Sequence, residues 1–272
     1  MNFMDKLAAI WRKNDSMVCV GLDPDLKKLP EAVKNCDKPI FEFNKQIIDA
    51  TSAYVCAYKP QAAYYAGQDA DDQLKMTIDY IKTKYPEIPV ILDVKRGDIG
   101  TTAEMYAREA FVRYNADALT VNPYMGGDTL KPFLDYADRG VIVLCRTSNP
   151  KSGELQELLC DGDMLYEKVA VYARDRWNYN SNIMLVIGAT YPEELAKIRQ
   201  LVPEMPFLVP GVGAQGGDVE KVLANGCSRD GFGLVINSSR GIIYAGKGAD
   251  FGAAAGRAAL ELRNLINSFR KK

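Results

Sequence analysis

The chain has 272 residues, 47% of them hydrophobic and 25% charged, the proportions of a globular protein with a sizeable core and not of a disordered or fibrous chain. It contains no histidine, which excludes a Ser-His-Asp triad, a Cys-His pair, an HExxH zinc site and a histidine general base, so acid–base chemistry falls to Lys, Asp, Glu, Tyr or Cys. With 34 Lys and Arg against 35 Asp and Glu the formal charge is −1; no global field draws the chain to nucleic acid or an anionic membrane, and an anionic ligand needs a local site.

In chain order, residues 1–16 (MNFMDKLAAIWRKNDS) place Phe3, Leu7, Ile10 and Trp11 on one helical face and lack the long apolar stretch of a signal peptide. No run approaches the ~18 residues of a membrane span. Eight short apolar, β-rich runs then recur: 16–23, 53–59, 89–95, 116–122, 140–146, 182–188, 206–213 and 231–237. They are continuous where a half-exposed strand would alternate, as in a parallel sheet buried on both faces. Between the third and fourth, Thr101 and Glu104 have capping-box spacing, and Ala103, Tyr106, Ala107, Ala110, Phe111 and Tyr114 repeat at helical intervals. Shorter helical signals lie at 71–84, 129–139, 164–178, 192–201 and 217–225. After the eighth run Asp250 is placed to cap a helix carrying an apolar stripe from Ala255 to Phe269.

Unbroken alternation without a linker predicts one α/β domain over residues 1–272, and eight units fit a (β/α)8 barrel better than an open doubly wound sheet. In such a barrel the reacting groups lie at or just beyond the C-terminal ends of the strands. The six cysteines (Cys19, Cys36, Cys56, Cys145, Cys160, Cys227) are far apart, without a CxxC and with three inside apolar runs. They read as reduced and structural, which suits the cytoplasm.

The third run ends ILDVKRGDIGTTAE, with Asp93, Lys95 and Asp98 spaced D-x-K-x-x-D. Strand alternation points Asp93 and Lys95 to the same side, and Asp98 falls in the following loop. Carboxylates beside a lysine keep it cationic and are themselves kept anionic, giving a positioned proton donor flanked by negative charge. A structural ion pair at a strand end is the plainer reading. Asp23 ends the first strand in GLDPD and Lys59 ends the second in AYKP; either alone is commonly a solvated loop charge. The seventh and eighth runs lead into PGVGAQGGD and NSSRG. GVGAQG fits GxGxxG, but it lies too late in the chain for a dinucleotide fold. The loops after strands seven and eight of a barrel frequently hold phosphate instead. Gly213, Gly216 and Gly217 allow close backbone approach, and Arg240 offers a planar fork. The fifth run ends CRTSNP, where Thr147 and Ser148 offer hydroxyls without a base to activate a nucleophile.

These motifs, LDVKRGDIGTTA, PGVGAQGGD and SSRGIIYA with GLDPD, AYKP and TSNP in order, resemble the orotidine 5′-phosphate decarboxylase family over essentially the whole chain. Length and the VNPYMGGDTLKPF segment resemble its longer bacterial-type subgroup, and no fused second catalytic domain is expected. The resemblance implies a carboxy-lyase of UMP biosynthesis, cytoplasmic and homodimeric with shared active sites. Lys95 would protonate C6 of the pyrimidine, with Asp93 facing the departing carboxylate. Asp98 would complete the charged array from the neighbouring subunit, accompanied by Ile99 and Thr102. Asp23 and Lys59 would bind the ribose hydroxyls, Ser148 the pyrimidine (Thr147 could exchange roles with it), and Gln215 and Arg240 the phosphate, Gln215 on a closing loop. No organic cofactor and no metal are implied, and no nucleic-acid or membrane partner. The alternatives are a magnesium-dependent sugar-phosphate decarboxylase of the same barrel superfamily, which shares D-x-K-x-x-D, and a catalytically inactive barrel that binds a phosphate ligand.

Overall fold

All eight apolar runs contain strands in the computed structural model, which describes residues 1–212 and 218–270. They are β1 (Val18–Leu22), β2 (Ala57–Pro60), β3 (Ile91–Arg96), β4 (Ala118–Val121), β5 (Gly140–Arg146), β6 (Ile183–Ile187), β7 (Phe207–Pro210) and β8 (Leu234–Ser238). The run at 53–59 is half strand: Ser52–Tyr54 form a tight helical turn and pairing starts at Ala57. Every pair is parallel and each strand lies beside its sequence neighbour, with β1 also pairing β8. Bridges Tyr58↔Val90 and Gln61↔Asp93 join β2 to β3 and close the ring. Both faces of a strand in such a ring are covered, which is why β1 and β6 are buried along their whole length and their sequences do not alternate.

Helices fill most intervals where the periodicities predict them. α1 (Phe3–Lys13) buries Phe3, Leu7, Ile10 and Trp11 across the N-terminal end of the barrel. α2 (Pro39–Thr51) is a full helix on a stretch that the sequence reading leaves unassigned, although Ile40, Phe43, Ile47 and Ile48 form its buried stripe. α3 (Asp71–Lys84) follows its signal to the residue. α4 (Gly100–Arg108) starts one residue before Thr101 and has Ile99 at its N-cap without a side-chain cap bond, so the expected capping box does not form. From Glu109 to Arg113 it widens into a π turn. There the Arg96 guanidinium grips the Glu109 carboxylate at 2.9–3.2 Å and lies 4.4 Å from the centre of the Tyr106 ring, tying the helix to the end of β3. α5 (Gly127–Leu134), α6 (Leu165–Tyr172), α7 (Pro192–Leu201) and α8 (Val219–Gly226) continue the alternation to α9 (Phe251–Phe269). Asp250 stands at the N-cap of α9 but makes no cap bond.

Candidate active site

The strand ends carry the charged and polar groups of the mouth. Lys59, the third residue of β2, is buried, and its ammonium donates to Asp93 Oδ2 at 3.0 Å. From β3 the Lys95 ammonium donates to Asp93 Oδ1 at 2.6 Å, and Thr120 Oγ1 of β4 donates to the same oxygen at 2.8 Å. One buried carboxylate thus takes three donors. Burial by itself would raise the Asp93 carboxyl, but Lys59 and then Lys95 outweigh it and hold the group well below the usual carboxylate range. For Lys59 burial works against the charge, and Asp93 and Asp23 reverse that, keeping its ammonium protonated well above the ordinary lysine value. The charges of Asp93 and Lys59 are mutually fixed.

Asp93 and Lys95 meet, but not by strand alternation. The β3–β4 register shifts between Leu92 and Arg96, and Lys95 has φ +46° in the left-handed region. Its side chain is 46% exposed against 9% for Asp93, so the ammonium reaches back onto Asp93 from the solvent side. Lysine tolerates this backbone poorly, and such strain persists where neighbouring contacts enforce it.

The remaining predicted residues fall around this cluster. Asp23 lies just beyond β1, with one buried carboxylate oxygen lacking a partner among the described residues. Asp98 accepts from the Ile99 amide at 2.8 Å and forms no ion pair among the described residues, while Ile99 and Thr102 are exposed. Beyond β5, Thr147 Oγ1 is engaged by Asn149 and Gln156 at 2.6 and 2.9 Å. Ser148 keeps its hydroxyl free of described partners and lines a cleft of about 530 Å³ with Thr190 and Tyr191. Ser148 packs so tightly on Gly188 that a Cβ there would lie 2.8–2.9 Å from it. Arg240 is exposed on the turn after β8, its guanidinium without a partner among the described residues. Gln215, Gly213, Gly216 and Gly217 lie outside the described residues. α8 starts directly after that segment, with Asp218 accepting from the amides of Glu220 and Lys221.

Sequence reasoning passes over Thr120, Thr190, Asn237, Ser239 and Arg146. Thr190 Oγ1, Asn237 Oδ1 and Ser239 Oγ are buried without described partners at the mouth; their signal is a polar residue ending an apolar run. Arg146, fully buried, stacks 3.8 Å from the Tyr191 ring centre and binds Ser152 and Glu157, bracing the loop that carries Ser148. A larger cleft of about 600 Å³ lies at the opposite end, beside Lys6, Lys13, Lys82 and Arg139. Those cations are all paired with neighbouring carboxylates, so it is the strand C-termini that present groups open to a ligand. Among the described residues no three His, Cys, Asp or Glu side chains are grouped as metal ligands.

Fold and mouth together define a (β/α)8 barrel that gathers lysine and aspartate at the C-terminal ends of its strands. The profile of the orotidine 5′-phosphate decarboxylase / HUMPS family matches residues 16–254. The orotidine 5′-phosphate decarboxylase of Cellvibrio japonicus is 57% identical over 272 residues, covering 99% of this chain and 100% of that protein. That of Cupriavidus necator is 56% identical over 270 residues, 99% of each chain. The solved structure of Leishmania donovani OMP decarboxylase superposes with a TM-score of 0.86 at 41% identity, again over 99% of each chain. The chain belongs to the orotidine 5′-phosphate decarboxylase family.

Proposed function

We propose that the mouth decarboxylates orotidine 5′-phosphate to UMP, the last step of de novo pyrimidine synthesis, with Lys95 as the proton donor. The bond from C6 to the carboxylate breaks, CO2 leaves, and the electron pair stays at C6 in the plane of the ring, where the π system cannot delocalise it. A cation held nearby stabilises that developing charge and then delivers a proton to it. The observation that carries this is the Lys95 ammonium, half-exposed at the mouth and fixed at 2.6 Å on a carboxylate that a second lysine also holds. Asp93 stands where a substrate carboxylate would meet negative charge, and preorganised charge around the transition state accounts for the acceleration whether or not the ground state is also raised.

Asp23 and Lys59 take the ribose hydroxyls, Ser148 the pyrimidine, and Arg240 with Gln215 the phosphate. Binding energy from the phosphate, remote from C6, helps order the charged array. Asp98, Ile99 and Thr102 act from the neighbouring subunit of a homodimer. What supports this is that they stand at the rim without joining their own chain's cluster, and that Met105 of α4 and Tyr124 and Met125 after β4 are exposed apolar side chains. Free thiols at all six cysteines fit a reducing compartment such as the cytoplasm, and among the described residues no helix is long and apolar enough to cross a membrane.

The test is conversion of orotidine 5′-phosphate by the purified protein, followed as the ultraviolet change of the pyrimidine, in EDTA without added cofactor. Turnover lost in EDTA and restored by magnesium would favour the enediolate chemistry of the sugar-phosphate branch; no turnover at all would leave a phosphate-binding barrel. Mixed dimers of Asp98→Ala and Lys95→Ala chains recover part of the activity when sites are shared, and fail to do so, despite subunit exchange, when they are not.

A further inference from the structure

β3 and β4 pair in register at Ile91↔Ala118 and Leu92↔Leu119 and resume at Arg96↔Val121. Asp93, Val94 and Lys95 therefore face the single residue Thr120, a bulge that leaves the amides of Val94 and Lys95 without ladder partners. Thr120 Oγ1 accepts from both, at 3.0 and 2.9 Å, and donates to Asp93 Oδ1 at 2.8 Å. A hydroxyl has one proton and two lone pairs. With both lone pairs taken by amides, the proton has one direction left, toward Asp93. The side chain is 1% exposed, so water does not compete for these bonds.

We infer that Thr120 is a positioning residue for the decarboxylation: its hydroxyl locks the Asp93 carboxylate and the left-handed Lys95 backbone into the arrangement that seats the Lys95 ammonium on Asp93. The inference rests on the reading of Lys95 as proton donor. Thr120 itself lies behind the carboxylate and touches no reacting atom. Its loss therefore misplaces the donor and leaves Asp23 and the phosphate contacts in place.

Thr120→Val keeps the shape and removes the three hydrogen bonds. The expected result is a fall in kcat on the order of 100-fold, the scale of a misplacement of about 1 Å at the reacting centre, with KM and the calorimetric affinity for UMP close to those of the parent. Thr120→Ser, which restores donor and acceptor, returns kcat toward the parent rate. Should the valine variant fail to fold, Thr120→Ala, which introduces no new bulk, carries the same comparison with serine. A kcat in the valine or alanine variant equal to the parent, a loss that serine does not repair, or a loss matched by equal weakening of UMP binding each overturns the inference. Lys95→Ala is assayed in parallel. Full turnover there removes the proton-donor reading and the inference with it, whereas an inactive Lys95→Ala beside a fully active Thr120→Val removes the inference alone.

Discussion

The two ends of the barrel use the same residue types to opposite ends. Beneath the N-terminal ends of β3 and β4, Asp117 takes the ammonium groups of Lys6 at 3.0 Å and Lys82 at 2.6 Å and also accepts from the Val90 amide. Under β7 and β8, Arg199 donates to the carbonyls of Gly226, Val202, Pro203, Met205 and Gly233, and burial lowers its guanidinium to about 10. Both charges are spent inside the protein. At the C-terminal ends Arg240 and Ser148 have no described partner, and Asp23, Thr190, Asn237 and Ser239 keep buried oxygens unmatched among the described residues. Native proteins rarely leave buried polar atoms unmatched without a reason, and a ligand supplies one. Closed charges hold a fold; open ones await chemistry.

Substitutions at the two ends should separate accordingly. The largest effect belongs to Lys95→Ala: loss of the proton donor and its charge lowers kcat by at least about 10⁴-fold, on the order of 5 kcal/mol of barrel-mouth stabilisation of the transition state. The unfolding midpoint hardly moves, because this side chain is half-exposed. Normal turnover would sink its assigned role. At the other end Asp117→Ala strands two mostly buried ammonium groups and costs about 3 kcal/mol in urea unfolding, with kcat unchanged; an equal loss of kcat would erase the contrast between the ends. Next is Arg240→Ala, which raises KM about 10- to 100-fold through loss of charge-assisted bonds to the phosphate while leaving thermal stability intact.

The smallest effect is one of pH. Asp93, held below its ordinary 3.8, contributes stability that is complete above that value and is lost as pH falls through the depressed one. Lys59, held above its ordinary 10.5, contributes stability that is complete below that value and is lost as pH rises through the raised one. Between about pH 5 and about pH 8 the parent's stability should therefore carry no slope from this pair, and the chain has no histidine to add one. A slope in that window, measured by urea unfolding at steps of pH, would show that the cluster is not fully charged.

The strands were legible because burial on both faces writes a continuous apolar run, a local signal each segment carries by itself. Lys59, Asp93 and Asp23 were legible because a charge ending such a run is conspicuous. The bulge at Lys95 was not: it depends on a hydroxyl from β4, and no window around ILDVKR contains Thr120. The capping box at Thr101 and Glu104 failed for a related reason, since the turn out of β3 puts Gly100 at φ +51° and starts the helix one residue early. α2 is a different case, for its stripe of Ile40, Phe43, Ile47 and Ile48 follows a proline suited to a first turn. Thr147 and Ser148 could not be separated from sequence because the distinction lies in Gln156, which reaches back nine residues to occupy the threonine.

α1 bears on traffic through the enzyme. Phe3 sits against Gly140 at the foot of β5, so closely that a Cβ there would lie 2.3 Å from its ring, and Trp11 stacks on Phe232 just before β8. The helix thus corks the barrel from one side to the other, and the interior behind the mouth is filled with side chains. Substrate, CO2 and UMP share one doorway. Any grip on the phosphate that speeds capture also prolongs the stay of the product, so if Arg240 holds the phosphate as proposed, its affinity sets a limit on how quickly the site can be vacated for the next molecule.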